Sequence, residues 1–360
     1  NTSFDIDFQN QNMKTLKENR FLVGNPECQY SSVIMKPETG ELKSIIAGKD
    51  YEMEQFNRAI LMKRQIGSLF KPFLYFNEII NHGMTPLDIV VDEPVNINGW
   101  SPKNVDLKNY GSVVVDVALE RSINTIPAKL LYKNGFGEIK ALIGKINDKI
   151  VLPEVYSLAL GTCEMSPLEV AELYSVFPNG GYKIDGHSII TIKDKNNKVI
   201  YNYKNNSSRI FDEIDTVIME NLLRNVVTYG TANNAHIRGI DIGGKTGTAD
   251  GNRSVWFAGF TDEFVGIYYL GYDYSKDLGT TAGEIAAPLY KEYLVNLRNA
   301  GIYSPPERLK NIQRLMDEGK VKYEYKDVGL KEEERINPET QEKEIIKVPR
   351  VRQVLVRNTK

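Results

Sequence analysis

The sequence has little of what many active sites are built from. It holds two cysteines and three histidines in 360 residues. Cys28 and Cys163 are far apart and form no C-x-x-C, so a disulfide-framed miniprotein and a metal centre built mainly from Cys and His are excluded. A disulfide between the two stays open, and a pair of unpaired thiols is the simpler reading. His82, His187 and His236 stand alone and form no H-E-x-x-H. Apolar runs are short, as at Val113–Val115 and Val265–Leu270, far below a bilayer span. No signal-peptide pattern opens the chain. Charge of one sign is missing too: 45 basic and 47 acidic residues leave −2, which speaks against a nucleic-acid binder. With 41% hydrophobic and 26% charged residues, collagen-like and disordered chains are excluded. The length admits about two domains.

Turn and period signals then divide the chain. Residues 1–29 are polar and Asn/Gln-rich without a sustained period, which reads as a lead-in or linker remnant. A hairpin follows, Ser31–Met35 and Leu42–Ala47 around Pro37-Glu38-Thr39-Gly40. Ser68–Ile80 reads as a helix from Leu69, Phe73, Phe76 and Ile80 on one face. Further helices are expected at Asp116–Arg121 and Ile126–Lys133, the latter stopped by Asn134-Gly135. Another opens at Ser166-Pro167, where Glu169 completes a capping box. A hairpin is expected at Ile189–Lys193 and Val199–Tyr203, then helices at Glu213–Tyr229 and Glu284–Asn299 with three strands between them. This pattern predicts an α+β fold with a mostly antiparallel sheet flanked by helices. Beyond Pro306 the texture changes: 25 of the 54 residues from 307 to 360 are charged. Residues 303–360 therefore read as a charged C-terminal extension, a solvated tail before an edge strand or docking arm.

Three short motifs carry chemistry. Ser68-Leu69-Phe70-Lys71 is S-x-x-K, Ser122-Ile123-Asn124 is S-x-N, and Lys245-Thr246-Gly247-Thr248 is K-T-G-T. Alone, each has a plain reading: a helix cap with a solvated lysine, a turn pair, a strand. In this order they form a signature of penicillin-binding proteins and class A β-lactamases. The residue types fit acyl transfer. A serine hydroxyl needs a base, and Lys71 lies one helical turn from Ser68. A lysine acts as a base only when burial or a second cation lowers its pKa, and Lys245 is the available cation. Ser122 fits a proton relay, and the Asn124 amide fits a substrate amide. Lys245 would attract an anionic group, and the small Thr246-Gly247-Thr248 strand leaves room for an extended peptide.

The resemblance extends beyond the trio. Gln55–Ala59, Arg64–Phe73, Trp100–Asn104, Tyr110-Gly111, Ala118–Asn124, Met165–Glu169 to Gly181, Tyr229–Ala232 and Gly244–Phe260 are similar to the transpeptidase domain of class A (bifunctional) penicillin-binding proteins. The likeness covers residues 30–302, without the glycosyltransferase domain. It implies a β-lactamase/transpeptidase-like fold with an added all-helical subdomain. It implies a serine D,D-transpeptidase that cross-links peptidoglycan stem peptides ending in D-Ala-D-Ala. Ser68, Lys71, Ser122 and Lys245 would be catalytic, and Asn124, Thr246, Gly247 and Thr248 would bind substrate. The oxyanion hole would be the backbone N–H groups of Ser68 and Thr248, and β-lactams would acylate Ser68 covalently. No metal or other cofactor is implied. The chain, which begins at Asn1, is expected to be a soluble fragment of a membrane-anchored, extracytoplasmic protein with an upstream glycosyltransferase domain. Two departures stand out: Ile66 where the family often has Pro, and Ser254 where it often has Asp. Between Asn124 and Lys245 there is no Glu-x-x-x-Asn of the class A β-lactamases. A D,D-carboxypeptidase and a penicillin-binding sensor or scaffold remain as alternatives.

Overall fold

The computed structural model describes residues 1–360 except 53, 250, 307, 308, 337–342, 359 and 360; residues 329–336 and 343–350 are described by their backbone. A five-stranded antiparallel sheet forms the centre. Its strands are β1 (Gln29–Met35), β2 (Leu42–Ile46), β3 (Gly243–Ala249), β4 (Ser254–Phe260) and β5 (Val265–Gly271), in the order β3-β4-β5-β1-β2. Alternation along these strands gives each face its own partners. Trp256 packs edge-on against Tyr269 on one face, and its indole N–H donates to the Gln65 carbonyl at 3.0 Å. Phe257, on the other face, meets Tyr290.

The helices sort accordingly. α1 (Ile6–Glu18) packs against α8 (Ala282–Asn299), and α8 covers β4 and β5. α2 (Lys71–His82), α4 (Thr125–Asn134) and α5 (Phe136–Ile146) pack on one another as a helical subdomain. α6 (Pro167–Ser175) opens with the expected capping box at Ser166 and Glu169, and lies against β1 and β5. α3 (Val115–Glu120) and α7 (Glu213–Tyr229) pack together beside β3. The α+β architecture is thus the one the sequence predicts. α5 was not among the expected helices, although Ile139, Leu142, Ile143 and Ile146 line its buried face. Gly135 hides it, because the same residue ends α4 and starts α5. Among the described residues no helix is long and apolar enough to cross a membrane.

Both ends differ from expectation. Residues 1–29, expected as a lead-in or linker remnant, contain a helix that joins the core: α1 is capped by Asp5 and buries Phe8 and Leu16. Its polar residues look solvated in sequence but face polar groups of the sheet. Fully buried Asn12 donates to Ser32 Oγ at 3.1 Å and Ser44 Oγ at 2.9 Å, and accepts from the Tyr268 hydroxyl at 2.9 Å. The C-terminal extension is likewise not a solvated tail. It forms α9 (Lys310–Asp317) and a hairpin of β6 (Val321–Ile336) and β7 (Lys343–Arg357). Its charges look solvating in sequence but several are docking groups. Arg357 reaches Asp215 of α7 at 2.7 Å, the Leu355 N–H donates to Asn221 at 3.1 Å, and Val321, Val354 and Leu355 are buried.

Candidate active site

The site lies where the edge strand β3 meets a short 3₁₀ turn, Gly67–Phe70, that leads into α2. The Lys71 N–H donates to the Ser68 carbonyl. In such a turn residues three apart stack over one another, so the Ser68 and Lys71 side chains share one side. The tight approach depends on glycine. Gly67 has φ +57°, and a Cβ there would sit 2.3 Å from the Thr248 carbonyl oxygen. A Cβ on Gly161 would sit 1.8 Å from the Gly67 oxygen. Any side chain at either place would push the Ser68 turn off the strand.

Lys71 and Lys245 are both fully buried. Lys71 Nζ donates to the Ser122 carbonyl at 2.5 Å, to Ser122 Oγ at 3.2 Å and to the Asn124 side-chain oxygen. Lys245 Nζ donates to the same Ser122 Oγ at 2.9 Å and to the Thr246 carbonyl at 3.1 Å. Burial, and then the charge of Lys245, hold Lys71 well below the usual lysine range. Burial pulls Lys245 down to about 7. A buried lysine whose pKa is lowered in this way can accept a proton from a neighbouring hydroxyl. Ser122 carries its own mark, a left-handed φ of +55° on a non-glycine residue. Such a conformation costs on the order of 1–3 kcal/mol and persists where surrounding contacts hold it.

Asn124 is held from the far side by Asn104. The Asn124 N–H donates to Asn104 Oδ1 at 2.8 Å, and Asn104 Nδ2 donates to Asp92 at 2.8 Å. The Asn124 side-chain N–H donates to the Lys103 carbonyl at 2.6 Å. Thr246 is linked to Thr231 by a hydroxyl–hydroxyl bond of 2.9 Å. Ser68, Ser122, Asn124, Thr246 and Thr248 line a cleft of about 860 Å³. Gly247 lies on the other side of β3, where a Cβ would sit 2.4 Å from the Ile66 carbonyl oxygen. Its lack of a side chain serves the close contact with the Ser68 turn.

All eight residues singled out in the sequence therefore gather in one place. Asn104, Thr231 and Glu120 also belong to the cleft wall. Asn104 and Thr231 fall within recognised sequence stretches, but only the folded contacts give them a task. Cys28 and Cys163 are both free and buried, and burial raises both thiols. Among the described residues no group of three or more His, Cys, Asp or Glu could hold a metal ion.

The comparisons with known proteins agree with this geometry. Residues 30–295 match the penicillin binding protein transpeptidase domain. The chain is 35% identical over 289 residues to penicillin-binding protein 1A of Neisseria gonorrhoeae, covering 76% of this chain and 36% of that protein. It is 34% identical over 307 residues to penicillin-binding protein 1A of Aquifex aeolicus, covering 81% and 42%. The chain thus spans well under half the length of these relatives. Among solved structures, penicillin-binding protein 1A of Haemophilus influenzae aligns with a TM-score of 0.72 at 22% identity, over 89% of this chain and 53% of that one. The penicillin-binding protein PonA1 of Mycobacterium tuberculosis aligns with a TM-score of 0.76 at 18% identity, over 86% and 87%. A further structure of the latter protein is a complex with penicillin V. The matched span contains the Ser68 turn, both buried lysines and the cleft between them, and by that match the chain belongs to the penicillin-binding protein transpeptidase family.

Proposed function

We propose that this chain is a serine D,D-transpeptidase that cross-links peptidoglycan stem peptides through an acyl-enzyme on Ser68. The observation that carries this reading is the setting of Lys71. It is buried one turn from Ser68, bonded to Ser122 and Asn124, and has a lowered pKa. In this reading neutral Lys71 takes the Ser68 proton as Oγ attacks the carbonyl of the penultimate D-Ala. The backbone N–H groups of Ser68 and Thr248 receive the developing oxyanion. The close approach of Gly67 to Thr248 supports that pairing. Ser122, between the two lysines, passes the proton to the departing D-Ala amine as the peptide bond breaks. Protonated Lys245 and the Thr246 and Thr248 hydroxyls hold the terminal carboxylate, while Asn124 holds a substrate amide. The donor peptide lies along β3, the edge strand of the sheet. An amine from a second stem then attacks the ester, forms the cross-link and releases Ser68.

β-Lactams would acylate the same serine. The family and the greater length of the relatives support placing the chain in a longer, membrane-anchored protein. That protein would carry an upstream glycosyltransferase domain and work outside the cytoplasm. The test is incubation with a stem-peptide donor and an amine acceptor, beside labelling with a fluorescent penicillin. Cross-linked product and Ser68-dependent labelling are expected. Hydrolysed donor alone would assign a carboxypeptidase, and a stable acyl-enzyme without product would assign a sensor. Labelling that survives Ser68→Ala would remove Ser68 as the nucleophile.

A further inference from the structure

The C-terminal hairpin reaches the wall of the cleft through one side chain. Arg352 of β7 is 7% exposed, although arginine is seldom buried without a partner. Its guanidinium donates to Glu120 through Nε at 3.1 Å and through a terminal nitrogen at 3.3 Å. The same group lies 3.7 Å above the centre of the Tyr229 ring. Both partners line the cleft.

Their positions in the chain give the contact its meaning. Glu120 is the last residue of α3, two residues before Ser122, so it anchors the start of the Ser122–Asn124 loop. Tyr229 is the last residue of α7 and leads through Gly230 to Thr231, whose hydroxyl bonds Thr246 of β3. The two walls also touch directly: the Thr231 N–H donates to the Glu120 carbonyl at 3.2 Å. A Cβ on Gly230 would come within 2.4 Å of that carbonyl oxygen. Arg352 therefore grips both walls from behind, the one carrying Ser122 and Asn124 and the one leading to Thr246. It does so from a segment beyond the family match, which ends at residue 295.

We propose that Arg352 is a positioning residue for the acyl-transfer site, and that the C-terminal hairpin is a working part of the catalytic unit. The inference rests on the proposed transpeptidase reading. The bidentate pair fixes the Glu120 carboxylate, and the stacked ring fixes the end of α7. Together these contacts support the strained backbone at Ser122. Loss of the guanidinium would leave Glu120 without this partner and let the loop relax, so that Ser122 and Asn124 drift from Lys71. An error of about 1 Å in such a site costs roughly 100-fold in rate.

The experiment uses the full chain with Arg352→Met, Arg352→Lys and the double variant Arg352→Met/Glu120→Gln. The double variant removes the charge left behind and guards against misfolding of the single one. Two quantities are read: the penicillin acylation rate constant, separated from the binding constant, and amide hydrogen exchange at residues 119–124. Arg352→Met is expected to slow acylation about 10- to 100-fold with little change in binding, and to speed exchange in the loop. Arg352→Lys is expected to recover only part of the rate, because a point charge lacks the planar fork. The proposal is overturned if folded Arg352→Met and the double variant both acylate within twofold of the parent. It is equally overturned if their melting temperatures fall while loop exchange stays unchanged. Should the parent chain itself resist acylation, the transpeptidase reading fails, and hydrogen exchange still decides the bracing.

Discussion

Lys71 and Lys245 donate to the same hydroxyl, Ser122 Oγ, from 3.2 and 2.9 Å. Two ammonium groups this close, both out of contact with water, cannot both keep their protons at neutral pH without a large cost. Lys71 bears the added repulsion of Lys245, so it gives up its proton first. In the proposed reading this order makes Lys71 the base and leaves the remaining charge on Lys245, the carboxylate anchor.

The first expectation is a bell-shaped pH dependence of acylation. The rate should rise as Lys71 is deprotonated. It should fall as Lys245 loses its charge near a pH of about 7. Lys245→Arg keeps that charge at all accessible pH, so its falling limb should move upward by more than about one unit. Acylation rate constants of both proteins across the pH range check this. An unmoved falling limb in the arginine variant would detach that limb from Lys245.

Much of this arrangement is legible in the sequence because it depends on short-range spacing. Ser68 and Lys71 share a turn, and Lys245 through Thr248 share a strand. What is not legible comes from contacts between distant segments. Asn104 holds Asn124 across a loop, and nothing in its neighbours announces that bond. The same holds for α1, where Asn12 and Thr15 interrupt the apolar Phe8 and Leu16 on the buried face. The C-terminal hairpin misleads in the opposite sense. Arg352 and Arg357 read as solvated charges until Glu120 and Asp215 are seen opposite them. Polar interfaces leave no hydrophobic period, so pattern reading passes over them.

The second expectation concerns stability. An unfolded lysine has a pKa of about 10.4, whereas Lys245 in the fold is at about 7. Between these values the unfolded chain binds more protons, so stability rises with pH across that window. Below it, the full cost of burying the charge is present. Lys245→Met removes one of the two buried ionisable lysines, so it should lose the Lys245 share of that pH slope while Lys71 keeps its own, and be more stable at neutral pH by about 1–4 kcal/mol. It should also acylate poorly, as expected where function keeps a costly group. Urea midpoints near pH 7 and pH 9.5 check the sign. A variant with the parent's pH slope, or with lower stability at pH 7, would contradict it.

The third expectation isolates the backbone of Ser122. Ser122→Gly and Ser122→Ala both remove the hydroxyl shared by the two lysines. They differ only in a Cβ at a position whose φ is +55°. If Ser122 relays the proton, both should slow acylation by roughly 10²- to 10⁴-fold and by similar factors. Their stabilities should part, with glycine ahead of alanine by about 1 kcal/mol, because a Cβ in the left-handed region meets the following carbonyl. Denaturant unfolding of the pair reads that difference with the lost hydrogen bonds cancelling. Equal stabilities would mean that the Ser122 backbone holds no strain for the surrounding loop to support. Equal stabilities together with unequal acylation rates would show that the two variants move the loop itself, since neither carries a hydroxyl to relay the proton.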